Sequence, residues 1–192
     1  MVYITWRYAS MEYIDVLNEN GVWTGEVLSR DDVHKKGLWH RALIAVVINS
    51  DNQVLMQQRS DTKDKFPGLW DLSVAAHVKS SEDAITTLVR EFNEEIGLVL
   101  SKKITVRDCR FVSSFKNIHH WDDQKLGPVD EHAFYELFIV NMDLNIADLK
   151  FNDGEVKDVK WLNLFEIKEL QKQNLLHPRT EWINEISKYL TV

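Results

Sequence analysis

The sequence holds a single cysteine, Cys109. That count excludes an intrachain disulfide, a zinc site built on paired thiolates and a CxxC redox pair, and a reducing cytoplasm is the expected setting. Positive charge is also scarce: 23 Lys and Arg against 30 Asp and Glu leave a formal net charge of -7. A protein that coats a nucleic-acid polymer needs clustered basic residues to neutralise many phosphates, so that class is set aside. A small phosphorylated molecule stays in play, because divalent ions between carboxylates and phosphates let an acidic protein hold an anion. No apolar run is long enough to cross a bilayer, and Met1 to Ser10 lacks a basic stretch followed by an apolar one. The expectation is a chain that neither spans a membrane nor is exported. No internal repeat, low-complexity tract or linker interrupts it.

What is there suits one domain over residues 1–192, with enough apolar residues, 44%, to bury a real core. Glu12 to Leu17, turn chemistry at Asn18-Glu19-Asn20-Gly21 and Val22 to Val27 predict a hairpin. With a short helix capped near Ser29 and stopped near Gly37, it forms an N-terminal extension over residues 1–37. The β-branched run within Trp39 to Asn49 predicts a buried strand. Gln53 to Arg59 is expected to return antiparallel to it through Ser50-Asp51-Asn52. Asp61 to Gly68 reads as a polar loop, and Trp70 to Val78 as an extended segment. The strongest helix is expected over Ser81 to Ile96, opened by a capping box between Ser80 and Asp83 and followed by Gly97. Its apolar stripe is Ala84, Ile85, Leu88, Val89, Phe92 and Ile96. Ile104 to Val112, His132 to Asn141 and Val156 to Leu162 are further strands. Two C-terminal helices follow within residues 164–190, the second capped by Thr180. The alternation implies an α+β fold, an α/β/α sandwich with a mixed β-sheet flanked by helices.

Glu91, Glu94 and Glu95 fall within one turn of the strongest helix. Like charges three and four residues apart repel, so gathering them is unfavourable unless a cation offsets the repulsion. Grouped hard oxygen ligands suit Mg²⁺ or Mn²⁺. A solvated acidic face is the bland alternative. The frame around the three residues, with Glu82, Arg90, Phe92, Gly97 and Leu98 at fixed offsets, favours the metal.

The stretch from Ala76 to Leu98 resembles the Nudix box: Gly, five residues, Glu, seven residues, Arg-Glu, an apolar residue, any residue, Glu-Glu, any residue, Gly and an apolar residue. Every element matches except the first, where Ala76 replaces a Gly that serves tight backbone geometry. The resemblance implies a Nudix fold and an Mg²⁺-dependent hydrolase, Mn²⁺ also serving, that cleaves a phosphoanhydride bond of a nucleoside-diphosphate derivative or related diphosphate. It implies that Glu91, Glu94 and Glu95 bind metal, that Arg90 holds a carboxylate and that Glu82 and Gly97 shape the loop-helix-loop. Glu131, ahead of an apolar strand, is the extra ligand or base, with Glu155 a weaker choice. Arg59, Lys65 and Trp121 are the candidate substrate contacts, Trp121 within the loop-like His119-His120-Trp121-Asp122-Asp123.

Outside the box, Asp15-Val16-Leu17, Gly25, His34, Leu38-Trp39-His40-Arg41, Gln58-Arg59-Ser60 and Phe66 to Asp71 resemble the branch of isopentenyl-diphosphate isomerase. That enzyme is the natural rival reading. Ala75 stands at the position of its catalytic Cys and Ala133 at that of a second Glu, so the acid/base pair that isomerisation needs is missing. His40 and His77 match isomerase metal-ligand positions and His34 lies near a third, although ordinary hydrogen-bonded histidines near a sheet edge are the favoured reading of all three. A binding module that has lost turnover is the third reading, against which all three Glu are retained. The partner expected is a small diphosphate, with a homodimer contact through Trp6 or Trp23.

Overall fold

The computed structural model describes residues 12–63, 65–95, 104–123, 127–149, 154 and 156–190, without the side chains of Glu95 and Asp123. Ile96, Gly97, Leu98, Glu155 and Trp6 lie outside them.

β1 (Tyr13–Leu17) and β2 (Trp23–Ser29) form the expected hairpin, paired from Tyr13 opposite Ser29 to Leu17 opposite Trp23. Its outer face leaves Val22, Trp23 and Val27 exposed. Ser29 then caps α1 (Arg30–Lys35) by accepting from the Asp32 amide at 3.2 Å.

β3 (Trp39–Ile48) is the central strand. Its even-numbered residues Ala42, Ile44, Val46 and Ile48 pack with Ile167, Trp182, Ile183 and Ile186, while Leu43, Ala45 and Val47 pack with Leu88 and Phe92. Burial on both faces explains why its sequence is an unbroken apolar run rather than an alternation. The strand pairs in parallel with β8 (Gly127–Asn141), from Trp39 opposite His132 to Ile48 opposite Asn141, and antiparallel with β6 (Val74–His77). The hairpin expected with β4 (Val54–Arg59) survives only at Ile48 opposite Val54. With β3 occupied by β6 and β8, β4 turns away to pair with β5 (Trp70–Asp71) and β9 (Val156–Leu162). The described residues make nine strands of one mixed sheet.

Helices cover both faces, as a sandwich requires. α2 (Ala84–Glu95) buries Ala84, Leu88 and Phe92 on one face, and α3 (Leu164–Lys172) and α4 (Glu181–Ile186) bury Ile167, Trp182, Ile183 and Ile186 on the other. Three local expectations need correction. The cap of α2 is Asp83, whose carboxylate accepts from the Thr86 amide at 2.8 Å, while the Ser80 amide is committed to the Tyr13 carbonyl. Thr180 precedes α4 without a side-chain cap bond. Instead of a strand from Ile104 to Val112, a 3-10 turn at Val106–Asp108 leads into β7 (Cys109–Asp123), antiparallel to β8 along its length.

The segment 119–123 is therefore strand, not loop. From Ser114 to Asp122 its residues alternate between exposed and half-buried, with Phe115, Asn117, His119 and Trp121 turned inward. The period of two was present, but the inward residues are polar or aromatic and do not register as apolar alternation. No helix among the described residues is long and apolar enough to cross a membrane.

Candidate active site

α2 holds its acidic residues around Arg90. The Arg90 guanidinium donates to both oxygens of Glu82, at 3.2 and 3.0 Å, to Glu91, and at 3.4 Å to Glu94. Thr87 donates a further 2.7 Å bond to Glu82, and Arg41 donates to the Glu82 carbonyl at 3.2 Å. The Arg90 bond is the main reason Glu82 titrates below the usual carboxylate range. Burial alone would lower Arg90, yet its bonds to Glu82 and Glu91 outweigh that and raise it. Glu82 and Glu91 are thus tied to one cation. Their orientations differ from Glu94: the Glu91 side chain is 14% exposed and lines the main cavity, whereas that of Glu94 is 61% exposed and does not.

Ala76, where a tight glycine turn was expected, sits in the middle of β6 opposite Leu43. It is not among the residues with positive φ, so its Cβ strains nothing there. Positive φ falls instead at Ser81, in the turn that carries the chain to α2.

The cavity, of about 340 Å³, is lined by residues of α1, α2 and β3 to β9 and of the segment between α3 and α4. At its heart, one ligand-capable atom from each of His34, His40, His77 and Glu131 lies within 4.8 Å of the others. His34 comes from α1, His40 from β3, His77 from β6 and Glu131 from β8. His34 Nε2 and His77 Nε2 are 3.2 Å apart, and His77 Nε2 lies 3.3 Å from Glu131 Oε1, which also accepts 2.8 Å from the Tyr135 hydroxyl. Burial pushes His34 down to about 3, and lowers His40 and His77 as well. The three imidazoles are therefore neutral. Burial alone would raise Glu131, but the hydrogen bond from His77 and the charge of Arg179 hold it well below the usual carboxylate range.

Neutral imidazoles beside an ionised carboxylate are the protonation states a metal ion demands of its ligands. His40 adds a second indication: its Nδ1 is bonded to the Leu38 carbonyl at 3.0 Å, while Nε2 is buried without a hydrogen-bond partner. An orphaned buried nitrogen costs stability unless something binds it. The imidazoles suit a borderline ion such as Zn²⁺, and the carboxylate also admits the harder Mn²⁺.

Arg59, Lys65 and Trp121, singled out from the sequence as substrate contacts, all line the cavity, and Lys65 Nζ lies 4.3 Å from the Trp121 ring centre. Glu131 lines it too; Glu82 and Arg90 do not. The Glu95 side chain and Gly97 lie outside the described residues. Sequence reasoning missed His177 and Arg179, which reach the cavity from the segment between α3 and α4, and it weighed His34, His40 and His77 as ordinary polar residues. The signal available for the histidines was their shared resemblance to ligand positions. His177 and Arg179 offered none, since the segment matches no motif.

A family model for the NUDIX domain matches residues 38–184. Nudix hydrolase 3 of Arabidopsis thaliana is 39% identical over 92 residues, covering 47% of this chain but only 12% of that protein's length. Isopentenyl-diphosphate Delta-isomerase 1 of Photorhabdus laumondii is 27% identical over 165 residues, covering 85% of this chain and 86% of its own. Among solved structures, DR0079 from Deinococcus radiodurans superposes with a TM-score of 0.66 at 22% identity, over 90% of this chain and 98% of that one. That likeness extends the agreement to the fold.

Proposed function

Because the chain belongs to the NUDIX domain family, as its match over residues 38–184 shows, we propose that it is an Mg²⁺- or Mn²⁺-dependent hydrolase of diphosphates. Its substrate is a nucleoside diphosphate linked to another moiety, or a related diphosphate. The observation that carries this reading is one cavity lined at once by Glu91 of the Nudix helix, by the His34, His77 and Glu131 cluster and by the cations Arg59 and Lys65.

Each group has a part. Glu91, Glu94 and Glu95 are the carboxylate ligands for a hard ion, and His34, His40, His77 and Glu131 form a second set for a softer one. A bound divalent ion supplies charge neutralisation at the diphosphate and acidifies a water molecule. Arg90, tied to Glu82 and Glu91, fixes the direction of Glu91 toward the cavity. Arg59 and Lys65 hold phosphate oxygens as fixed positive charges in a partly enclosed site, where such contacts count for more than in water. Trp121 presents an indole Nε1 with no partner in the structure, available to a substrate acceptor. Glu131 accepts a proton where it is not engaged as a ligand.

Isomerisation is disfavoured by two methyl groups. Ala75 lines the cavity and Ala133 is fully buried beside His40 in the sheet. Neither moves a proton to or from an allylic carbon. The test is a panel of nucleoside diphosphate derivatives together with isopentenyl diphosphate, each with Mg²⁺ and Mn²⁺, read by release of phosphate-containing products. Hydrolysis by the native chain and its loss, by about 100-fold or more, in Glu91→Gln and Glu94→Gln are expected. Isomer formed without hydrolysis would establish the rival enzyme, and silence across the panel would leave a binding module.

A further inference from the structure

The cavity contains a buried polar group that the metal-binding residues do not account for. The chain entering α4 is pinned to β5: the Trp70 amide donates to the Leu175 carbonyl at 2.9 Å and the His177 amide to the Trp70 carbonyl at 2.8 Å. The Arg179 amide then bonds His177 Nδ1 at 3.2 Å, and Trp182 Nε1 bonds the Arg179 carbonyl at 3.0 Å. Four local bonds thus fix where the Arg179 side chain starts.

Its guanidinium lines the cavity and is poorly satisfied. Arg179 is 8% exposed; Nη1 reaches the Tyr135 hydroxyl at 3.3 Å, Nη2 reaches Asp71 Oδ2 at 3.5 Å, and Nε has no hydrogen-bond partner. The same Asp71 oxygen lies 3.7 Å from Arg59 Nη1, and its other oxygen is committed to the Leu72 amide at 2.9 Å. Two guanidiniums therefore share one carboxylate oxygen at distances well beyond the roughly 2.7–2.9 Å of a well-made charged pair. Lys63 and Lys65 line the same cavity. The cavity's carboxylates are Glu12, Asp71, Glu91 and Glu131, and of these it is Asp71 that the Arg59 and Arg179 guanidiniums approach. A buried guanidinium with spare donors needs acceptors, and the cavity wall does not supply them.

We propose that Arg179, with Arg59 beside it, binds the non-bridging phosphate oxygens of the substrate's diphosphate group. This rests on the diphosphate reading above. Asp71 lies between the charges of both guanidiniums, and the bonds from Arg179 to Tyr135 and from Tyr135 to Glu131 join the phosphate grip to the histidine cluster. The alternative is that Arg179 only balances the buried charge of Asp71.

Binding of inorganic pyrophosphate to the full chain, measured by calorimetry in EDTA, separates the two, with a thermal melt of each variant as the folding control. Arg179→Met alone removes a cation that Asp71 faces, so the deciding variant is the double Asp71→Asn with Arg179→Met, which removes one charge of each sign. Phosphate binding by Arg179 predicts at least tenfold weaker pyrophosphate affinity in the double variant, and affinity no weaker than native in Asp71→Asn alone. A double variant that melts and binds like the native chain overturns the proposal, as does a native chain that fails to bind pyrophosphate without metal. Because no metal and no turnover are involved, loss of binding in the double variant sustains the role of Arg179 even if the hydrolysis panel is silent.

Discussion

Acid should destabilise the metal-free protein through His34 as pH falls below 6.5. His34 is 2% exposed and burial holds it near 3 instead of 6.5. Above pH 6.5 the imidazole is neutral in both folded and unfolded chains, so its contribution is complete there. As pH falls below that value the unfolded chain takes up a proton that the folded chain refuses, and stability is lost until the pH reaches the folded value. Between pH 8 and pH 5, a displacement from 6.5 to about 3 amounts to about 2 kcal/mol for this one group. That is a large share of the 5–15 kcal/mol typical of a folded domain. His40 and His77, also lowered by burial, act in the same direction. Glu131, held low, adds its own loss only as pH falls below the ordinary carboxylate value of 4.5, whereas Glu12 and Glu136, raised by burial, act in the opposite direction, so the His34 share is read from the difference between the native chain and a His34 variant. The assay is urea unfolding in EDTA at pH 8 and pH 5 for the native chain and for His34→Asn. The native chain should lose about 2 kcal/mol more than the variant over that interval. Equal losses, or a native chain that gains stability on acidification, would refute the argument that His34 is buried in its neutral form.

Other outcomes follow from the same contacts. Phe92→Ala should cost about 3–5 kcal/mol in urea unfolding, because the ring is fully buried between α2 and the sheet. Asn163→Ala should cost about 1 kcal/mol, since Asn163 and Glu166 form a reciprocal capping box at the start of α3. Mn²⁺ at 100 times its dissociation constant should stabilise the native chain by about 2.7 kcal/mol. His40→Ala should abolish most of that increment, read as the difference between melts with and without metal.

Most elements were legible because their patterns arise from local chemistry. Ser29 caps a helix by the rule that favours short polar side chains there, and the stripe Ala84, Leu88 and Phe92 buries as its spacing demands. What failed to show was non-local. Nothing in Ser50-Asp51-Asn52 reveals that β3 will give its length to β8, more than eighty residues away by sequence, and leave β4 a single pair. The inward face of β7 was hidden because His119 and Trp121 serve a cavity and not a core. Arg90 and Glu91 were singled out through the motif, and Arg59, Lys65 and Trp121 through their chemistry; of these, Glu91, Arg59, Lys65 and Trp121 line the cavity. Asp71 and Arg179 depend on a contact between segments 108 positions apart, for which no single-sequence pattern exists.

The site's chemistry follows from the parity of one strand. In a sheet, residues directly opposite one another point to the same face, so every partner of an even-numbered β3 residue shares its side. Ala42 opposes both His77 of β6 and Tyr135 of β8, Ile44 opposes Ala75, and His40 opposes Ala133, two residues beyond Glu131. His40, His77, Ala75, Glu131, Ala133 and Tyr135 are thereby delivered to one face, and α1 adds His34. A slip of one residue in either pairing would turn the ligands of that strand away from His40. The same register also places both alanines among the ligands, at the two positions where the isomerase resemblance implied Cys and Glu. The face therefore keeps the neutral imidazoles and the carboxylate suited to a cation, while lacking the pair that would exchange protons with a hydrocarbon. Anhydride hydrolysis asks for charge neutralisation and an activated water but no carbon acid chemistry, which is why this face supports the hydrolysis proposed above over isomerisation.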